Sequence, residues 1–248
     1  MNSKIRKGLL GLAVVLVFIW GLFSLWTSRQ KNTNKTQASE ATSQTSHSSS
    51  RQTSALPNVS TDDWELVLVN RDHVTAEMNP EVVEVSGILV DARIAENVAA
   101  FLAAAQTIDA SEHLISGYRS VAYQEALFNS YLAQEMAANP TLSEAEAKEL
   151  VQTYSQPAGA SEHQTGLAID MSTVDLLNQS DPSVAKQVQA LAPEYGFVLR
   201  FPKGKSDSTG VDYEDWHYRY VGKVSAKYMT EHQLTLEEYV ALLEERDA

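Results

Sequence analysis

The stretch SEHQTGLAID, Ser161–Asp170, leads from an irregular polar segment into a short apolar strand. Gly166 separates the two halves, and a glycine at this point allows the backbone to turn sharply. His163 in the polar half and Asp170 at the end of the apolar half are residue types that bind metal ions. A second unusual stretch, Glu214–His217, places another histidine close after a glutamate. These two stretches predict where the chemistry of the chain lies.

Helices and strands alternate irregularly on either side of these stretches. The predicted strands are few and too short for a parallel doubly wound sheet. The pattern therefore predicts an α+β domain. The predicted strands are Trp64–Asn70, His113–Ser116, Leu167–Ile169, Phe197–Leu199 and Trp216–Val221, and the main predicted helices are 91–107, 121–138, 144–154, 182–194 and 236–246.

The composition excludes several classes of protein. Of the 19 basic and 32 acidic residues, residues 1–60 hold seven basic and one acidic, which leaves 12 basic and 31 acidic in residues 61–248. So acidic a domain lacks the basic surface of a nucleic-acid binder, and no nucleic-acid partner is expected. Because the chain has no cysteine, it has no thiol nucleophile, disulfide scaffold or Cys-ligated zinc. Its 44% of hydrophobic residues predict a sizeable core.

The N-terminal region predicts a membrane anchor and a tether. After the basic residues 1–8, which are expected in the cytoplasm, residues 9–26 are apolar and would extend roughly 27 Å as a helix, close to the thickness of a bilayer core. A cleaved signal peptide is the alternative, although its apolar part is usually shorter and ends at small residues. Residues 27–60 are about two-thirds Ser, Thr, Asn or Gln, which predicts a disordered linker. One domain is then expected at residues 61–248.

Without cysteine, a zinc site must be built from His, Asp and Glu. A catalytic zinc needs three protein ligands and an open position for water. His163, Asp170 and His217 supply such a set, provided that Gly166 and a turn near Glu214 bend the two segments. Glu214 would then be the unligated base that activates water. From spacing alone, a buried histidine is more often a hydrogen-bonded core residue than a metal ligand.

Three sequence motifs indicate one class of protein. Residues 161–170 fit the pattern SxHxxGxAxD, residues 214–217 fit ExWH, and residues 116–128 fit SGYRSxxxQxxLF. Together they resemble the zinc D-alanyl-D-alanine carboxypeptidase family, in its VanY and LdcB branch. The resemblance extends from about Trp64 to Leu243, essentially the whole predicted domain.

This resemblance implies a fold, a cofactor and a set of site residues. The fold would be a small antiparallel sheet flanked by helices, as in D,D-peptidases and hedgehog-like domains, with one Zn²⁺ per domain. Three residues would bind zinc, one would serve as general base and acid, and three would bind substrate. These are His163, Asp170 and His217 for zinc, Glu214 for catalysis, and Arg119, Ser161 and Gln124 for substrate.

The resemblance also implies an activity on peptidoglycan stem peptides. Arg119 would bind the C-terminal carboxylate that an exopeptidase must recognise, or stabilise the oxyanion. The expected reaction is removal of the terminal D-alanine from tetrapeptides, an L,D-carboxypeptidase activity. A D,D-carboxypeptidase acting on pentapeptides is the alternative, and an endopeptidase fits Arg119 less well.

A non-catalytic peptidoglycan-binding module is the alternative of another class. The presence of Glu214 argues against it, because a binding module needs no catalytic base. A wall substrate requires the domain to lie outside the cell. The expected protein is therefore single-pass in the cell membrane, with an extracellular catalytic domain that stays near the membrane through its N-terminal helix.

Overall fold

The computed structural model describes residues 55–176 and 178–248. The predicted anchor at residues 9–26 and nearly all of the predicted linker lie outside these ranges. Within the described part, none of the helices combines the length and the apolar character that a membrane span requires.

The described residues form six strands and seven α-helices. The strands are β1 (Val82–Val85), β2 (Ile88–Asp91), β3 (His113–Ser116), β4 (Ala168–Ser172), β5 (Phe197–Leu199) and β6 (His217–Tyr220), and the helices are α1 (Ala95–Ile108), α2 (Val121–Ala138), α3 (Glu144–Gln152), α4 (Pro182–Leu191), α5 (Ser206–Thr209), α6 (Lys223–His232) and α7 (Leu236–Asp247). Four strands make one antiparallel sheet in the order β3-β4-β6-β5, and β1 with β2 forms a separate antiparallel hairpin. The predicted α+β class is confirmed.

One face of the four-stranded sheet packs into the main hydrophobic core. Side chains alternate along a strand, so Tyr218 and Tyr220 of β6 point to the same side. Both lie in the core with Ile169 of β4 and Phe197 of β5. Phe101 of α1 covers this face, with ring centroids 5.1 Å from Tyr218 and 5.2 Å from Phe197. The alternating aromatic residues of β6 are therefore core residues.

The opposite face of the sheet is polar and carries the candidate site. Asp170 pairs with His217 across β4 and β6, and Arg219 follows on the same face two residues later. A register irregularity between Leu114 and Ser116 shifts β3, so that Ser116 pairs with Asp170. The bulge turns the Ser116 side chain toward the polar face, while Leu114 stays in the core.

The predicted starts of α2 and α3 are confirmed, and each helix has a side-chain cap. Ser120 accepts a hydrogen bond from the backbone of Tyr123 at the start of α2. Ser143 and Glu146 form a complete capping box at the start of α3. Such a cap contributes about 1 kcal/mol, because it satisfies backbone donors that the first helical turn leaves unpaired.

A second hydrophobic cluster forms where α6 and α7 pack together. Met229 of α6 contacts a group that includes Tyr239 and Leu243 of α7. At the end of α7, the guanidinium of Arg246 donates to the carbonyls of Pro57 and Val59, both at 2.7 Å. The last helix is thus bonded to the first described residues of the domain.

The prediction of a strand at Trp64–Asn70 is wrong. The structure has a short 3₁₀ turn at Trp64–Leu66 followed by irregular backbone. The carbonyls of Glu65 and Val67 accept hydrogen bonds from Arg219 at 2.9 and 2.8 Å instead of joining a strand ladder. The β1–β2 hairpin was not predicted, because its side chains lack a clear alternation between apolar and polar.

Gly166 ends the turn before β4 in a left-handed conformation with φ 71°. A Cβ at this position would lie 2.9 Å from the Asp91 backbone nitrogen, which itself donates to the Gly166 carbonyl at 3.0 Å. We expect Gly166→Ala to lower the free energy of unfolding by more than about 2 kcal/mol, because left-handed strain adds to the backbone clash. Urea denaturation measures this loss.

Gly204→Ala is the matched control. Gly204 has a similar φ of 77°, but a Cβ there would meet no atom within 4 Å. It should show the conformational strain alone, about 1–2 kcal/mol. Equal losses for the two variants would contradict the packing role given to Gly166.

Candidate metal centre and active site

Three side chains from separate elements converge on the polar face of the sheet. His163 lies in the 3₁₀ turn Glu162–Thr165, Asp170 in β4, and His217 at the first position of β6. One ligand atom from each lies within 4.8 Å of the others. The turn that ends at Gly166 bends the backbone between His163 and Asp170, as predicted, so that the two side chains can converge. All three side chains are buried.

The distances fit a small tetrahedral cation. Asp170 Oδ1 lies 3.4 Å from His163 Nε2 and 3.2 Å from His217 Nδ1. Zinc bonds of about 2.0–2.1 Å in tetrahedral geometry would place ligand atoms about 3.3 Å apart. Asp170 Oδ1 is also buried without a hydrogen-bond partner among the described residues, an expensive state for a carboxylate oxygen unless a cation neutralises it. The three residues therefore fit a zinc ion.

One hydrogen bond orients the His163 ring toward the candidate metal site. His163 Nδ1 lies 2.7 Å from the Gly117 carbonyl, to which only a protonated nitrogen can donate. We assign the proton to Nδ1, and Nε2 then faces Asp170 as a lone-pair donor. In His217 the roles of the two ring nitrogens are exchanged, because Nδ1 is the nitrogen that faces Asp170.

The protonation of the two histidines differs. Burial and the nearby Arg119 lower the pKa of His163 to about 4, so that it is neutral at neutral pH. Burial alone would lower the pKa of His217, but the adjacent carboxylates of Asp170 and Glu162 raise it to about 9. For Asp170, burial is outweighed by the two histidines, which hold its pKa well below the ordinary value. A metal ion must therefore displace a proton from His217.

Glu214 lies beside this group without belonging to it. Its Oε2 is 3.7 Å from His217 Nδ1, and its backbone nitrogen donates to the Phe201 carbonyl at 3.1 Å. Burial, assisted by the negative charge of Asp170, raises the pKa of Glu214 to about 8. A carboxyl group whose pKa lies near neutral can both accept and donate a proton, as a general base and acid requires.

Arg119 lies on the other side of Asp170. Its Nη1 donates to Ser116 Oγ at 2.7 Å and lies 3.5 Å from Asp170 Oδ2, and its Nε donates to Gln124 Oε1 at 3.0 Å. The side chain is still 18% exposed. A guanidinium so placed can receive an anionic group next to the metal centre.

The other two predicted substrate residues have different surroundings. Gln124 is buried, and its amide is bonded on both sides within the protein, to Arg119 and to the Gln156 carbonyl. These bonds hold Gln124 against Arg119, and its role as a substrate contact stays a prediction. Ser161 is buried immediately before the 3₁₀ turn, and its side chain does not cap that turn.

A buried ionic cluster behind His217 was not predicted from the sequence. Glu162, Arg200 and Arg219 are each at most 4% exposed, and Glu162 pairs with both arginines. One signal was available: Arg219 follows His217 by two residues on a strand, so the two side chains share a face. Glu162 does not stand out in the motif SxHxxGxAxD, because the motif allows any residue at that position.

An α+β fold with a buried His–Asp–His group, a protonatable glutamate and an adjacent arginine defines a metal-dependent hydrolase. The sequence profile of the VanY family, D-alanyl-D-alanine carboxypeptidase, matches residues 87–223, more than half of the chain. The chain belongs to this family of carboxypeptidases.

Individual relatives agree with this assignment. A D-alanyl-D-alanine carboxypeptidase of Enterococcus faecalis is 33% identical over 180 residues, which cover 72% of this chain and 66% of that protein. A mutant of the vancomycin-resistance D,D-pentapeptidase VanY, solved in complex with Zn(II), is 33% identical with a TM-score of 0.65 over 72% of this chain and 99% of that one. The L,D-carboxypeptidase DacB from Streptococcus pneumoniae is 30% identical with a TM-score of 0.57 over 70% of this chain and 84% of that one. The matched stretches span between 36% and 66% of the curated relatives' lengths.

Proposed function

We propose that this protein is a zinc carboxypeptidase that removes the terminal D-alanine from peptidoglycan stem peptides. The observation that carries the proposal is the buried group His163–Asp170–His217 with Glu214 and Arg119 on either side. The ligand distances suit zinc, the raised pKa of Glu214 suits proton transfer, and the partly exposed guanidinium suits a carboxylate.

Zinc bound to this group would polarise the scissile carbonyl and lower the pKa of a water molecule. Glu214 takes the proton of the attacking water and delivers it to the leaving amine. Its burial serves this cycle, because a carboxyl group with an ordinary pKa would be a weak proton donor at neutral pH. Arg119, held by Ser116 and Gln124, binds the substrate carboxylate and so selects the last residue of a peptide.

We further propose that the substrate is the tetrapeptide stem, whose last bond joins an L-residue to D-alanine. The support is the resemblance of the motifs to the LdcB branch, together with the fold shared with an L,D-carboxypeptidase. A D,D-carboxypeptidase acting on pentapeptides is the second candidate, favoured by the match to VanY.

Purified tetrapeptide and pentapeptide stems distinguish these activities. We expect the zinc-loaded full chain to release D-alanine from the tetrapeptide, detected by mass spectrometry, and a chelator to stop the release. Release from the pentapeptide alone would reassign the enzyme to the D,D class. No release from either stem would contradict the proposed activity and favour a peptidoglycan-binding module.

We propose that the enzyme works outside the cell, tethered to the membrane by residues 9–26 through the linker at 27–60. The length of the apolar run and the location of the substrate support this placement. Digestion of intact cells with an added protease tests it. Protection of the catalytic domain until the cells are lysed would contradict an extracellular position.

A further inference from the structure

Two buried polar atoms without hydrogen-bond partners face each other behind the metal centre. His217 Nε2 and Glu162 Oε2 are both buried and unpaired among the described residues, and they lie 3.6 Å apart. His217 presents its other nitrogen, Nδ1, to Asp170. A slight shortening of the distance between Nε2 and Oε2 would satisfy both atoms.

The other oxygen of Glu162 is held firmly. Oε1 accepts from Arg200 Nε at 2.8 Å and from Arg219 Nη1 at 2.9 Å. Two buried guanidinium groups that donate to one oxygen require a charged partner, so the Glu162 side chain is an anion. With Oε1 occupied by two donors, Oε2 remains for His217.

The two arginines are fixed by more distant parts of the domain. Arg219 Nη2 donates to the carbonyls of Glu65 and Val67, and Arg200 binds the Glu237 carboxylate through both Nη1 and Nη2, at 2.9 and 2.5 Å. Glu237 belongs to α7 and the carbonyls to the start of the domain. Glu162 is thus held in place from two directions.

We propose that Glu162 is a positioning residue for the metal ligand His217. Its carboxylate accepts the Nε2 proton of His217, which keeps Nδ1 unprotonated and directed at the metal. A carboxylate in this position also makes the imidazole a better donor to the ion. The two arginines define where the carboxylate lies. The proposal rests on the metal site of the proposed function and does not depend on which peptide is cleaved.

The alternative is that Glu162 only neutralises two buried arginines. Glu237 provides the comparison, because it also pairs with Arg200, and its hydrogen bonds run to Arg200 and Asn70 rather than to His217. A residue with a purely ionic role should behave like Glu237 when its charge is removed. A positioning residue should change metal binding in addition to stability.

The test compares Glu162→Gln with Glu237→Gln in the full chain. Zinc affinity is measured by competition with a chromophoric chelator, and the ligand geometry by the visible absorption of bound Co²⁺. We expect Glu162→Gln to weaken zinc binding by about 10–100-fold, the range for outer partners of metal-bound histidines, and to change the Co²⁺ spectrum. Glu237→Gln should keep the wild-type spectrum and an affinity within about threefold of wild type, because Arg219 still holds Glu162 Oε1. Thermal unfolding of both metal-free variants is expected at lower temperature.

Glu162→Asp keeps the test decisive if the glutamine variant does not fold. It retains the charge for the arginines but shortens the reach to His217, so zinc affinity should fall while stability is better preserved. Wild-type zinc affinity in the folded Glu162 variants, or equal losses in Glu162→Gln and Glu237→Gln, would overturn the proposal. A wild-type chain that binds zinc but releases no D-alanine would reject only the proposed activity, whereas one that binds no zinc would reject both.

Discussion

Glu214→Ala is expected to reduce D-alanine release by about 10²–10⁴-fold, the usual contribution of a general acid and base, while zinc remains bound. The residue lies beside the three ligand atoms rather than among them, so its removal should leave the metal centre intact. The measurement pairs steady-state turnover with the metal content of the purified variant. A fall in turnover at wild-type zinc content would identify Glu214 as the group that moves the proton.

Asp215→Asn is the matched control for this prediction. Asp215 is adjacent in sequence and also has a pKa raised by burial, but its backbone bonds to Asn178, away from the metal group. Its substitution should retain most of the activity. Near-normal turnover by Glu214→Ala would overturn the assigned mechanism, whatever the control shows.

His163→Ala should weaken zinc binding by more than about 100-fold, since loss of a direct ligand exceeds the effect of losing an outer partner. The remaining pair, Asp170 and His217, leaves too few protein ligands for a stable tetrahedral site. Metal analysis after dialysis measures the loss. The variant should also release no D-alanine, because zinc would be needed to polarise the scissile carbonyl in the proposed reaction.

His113→Ala controls for a general effect of removing a histidine. His113 lies on β3 and pairs with Asp175 at 2.8 Å, apart from the His–Asp–His group. This variant should keep the wild-type zinc content. If His163→Ala also kept its zinc, His163 would have to be removed from the ligand set.

The local parts of the fold could be predicted because their causes are local. Ser120 and Ser143 mark helix starts, since a side-chain oxygen next to unpaired backbone donors is sufficient for a cap. The aromatic alternation of β6 likewise identifies its buried face. The residues Trp64–Asn70 could not be predicted, because the carbonyls of this apolar run bond to Arg219, which lies far away in the sequence.

The candidate site also contains residues that local sequence identifies and residues whose roles depend on distant contacts. His163, Asp170 and Glu214 stand out through residue type and spacing. Gln124 was interpreted as a substrate contact, and only the folded chain shows both ends of its amide engaged. The role proposed for Glu162 depends on Arg200, just after β5, and Arg219 of β6, which both reach one carboxylate oxygen. No spacing along the chain reveals this convergence.

The bonds from Arg246 to the carbonyls of Pro57 and Val59 place both ends of the catalytic domain at one corner. A short engineered peptide could therefore join the last helix to the first described residues, and new ends could be opened in an exposed loop elsewhere.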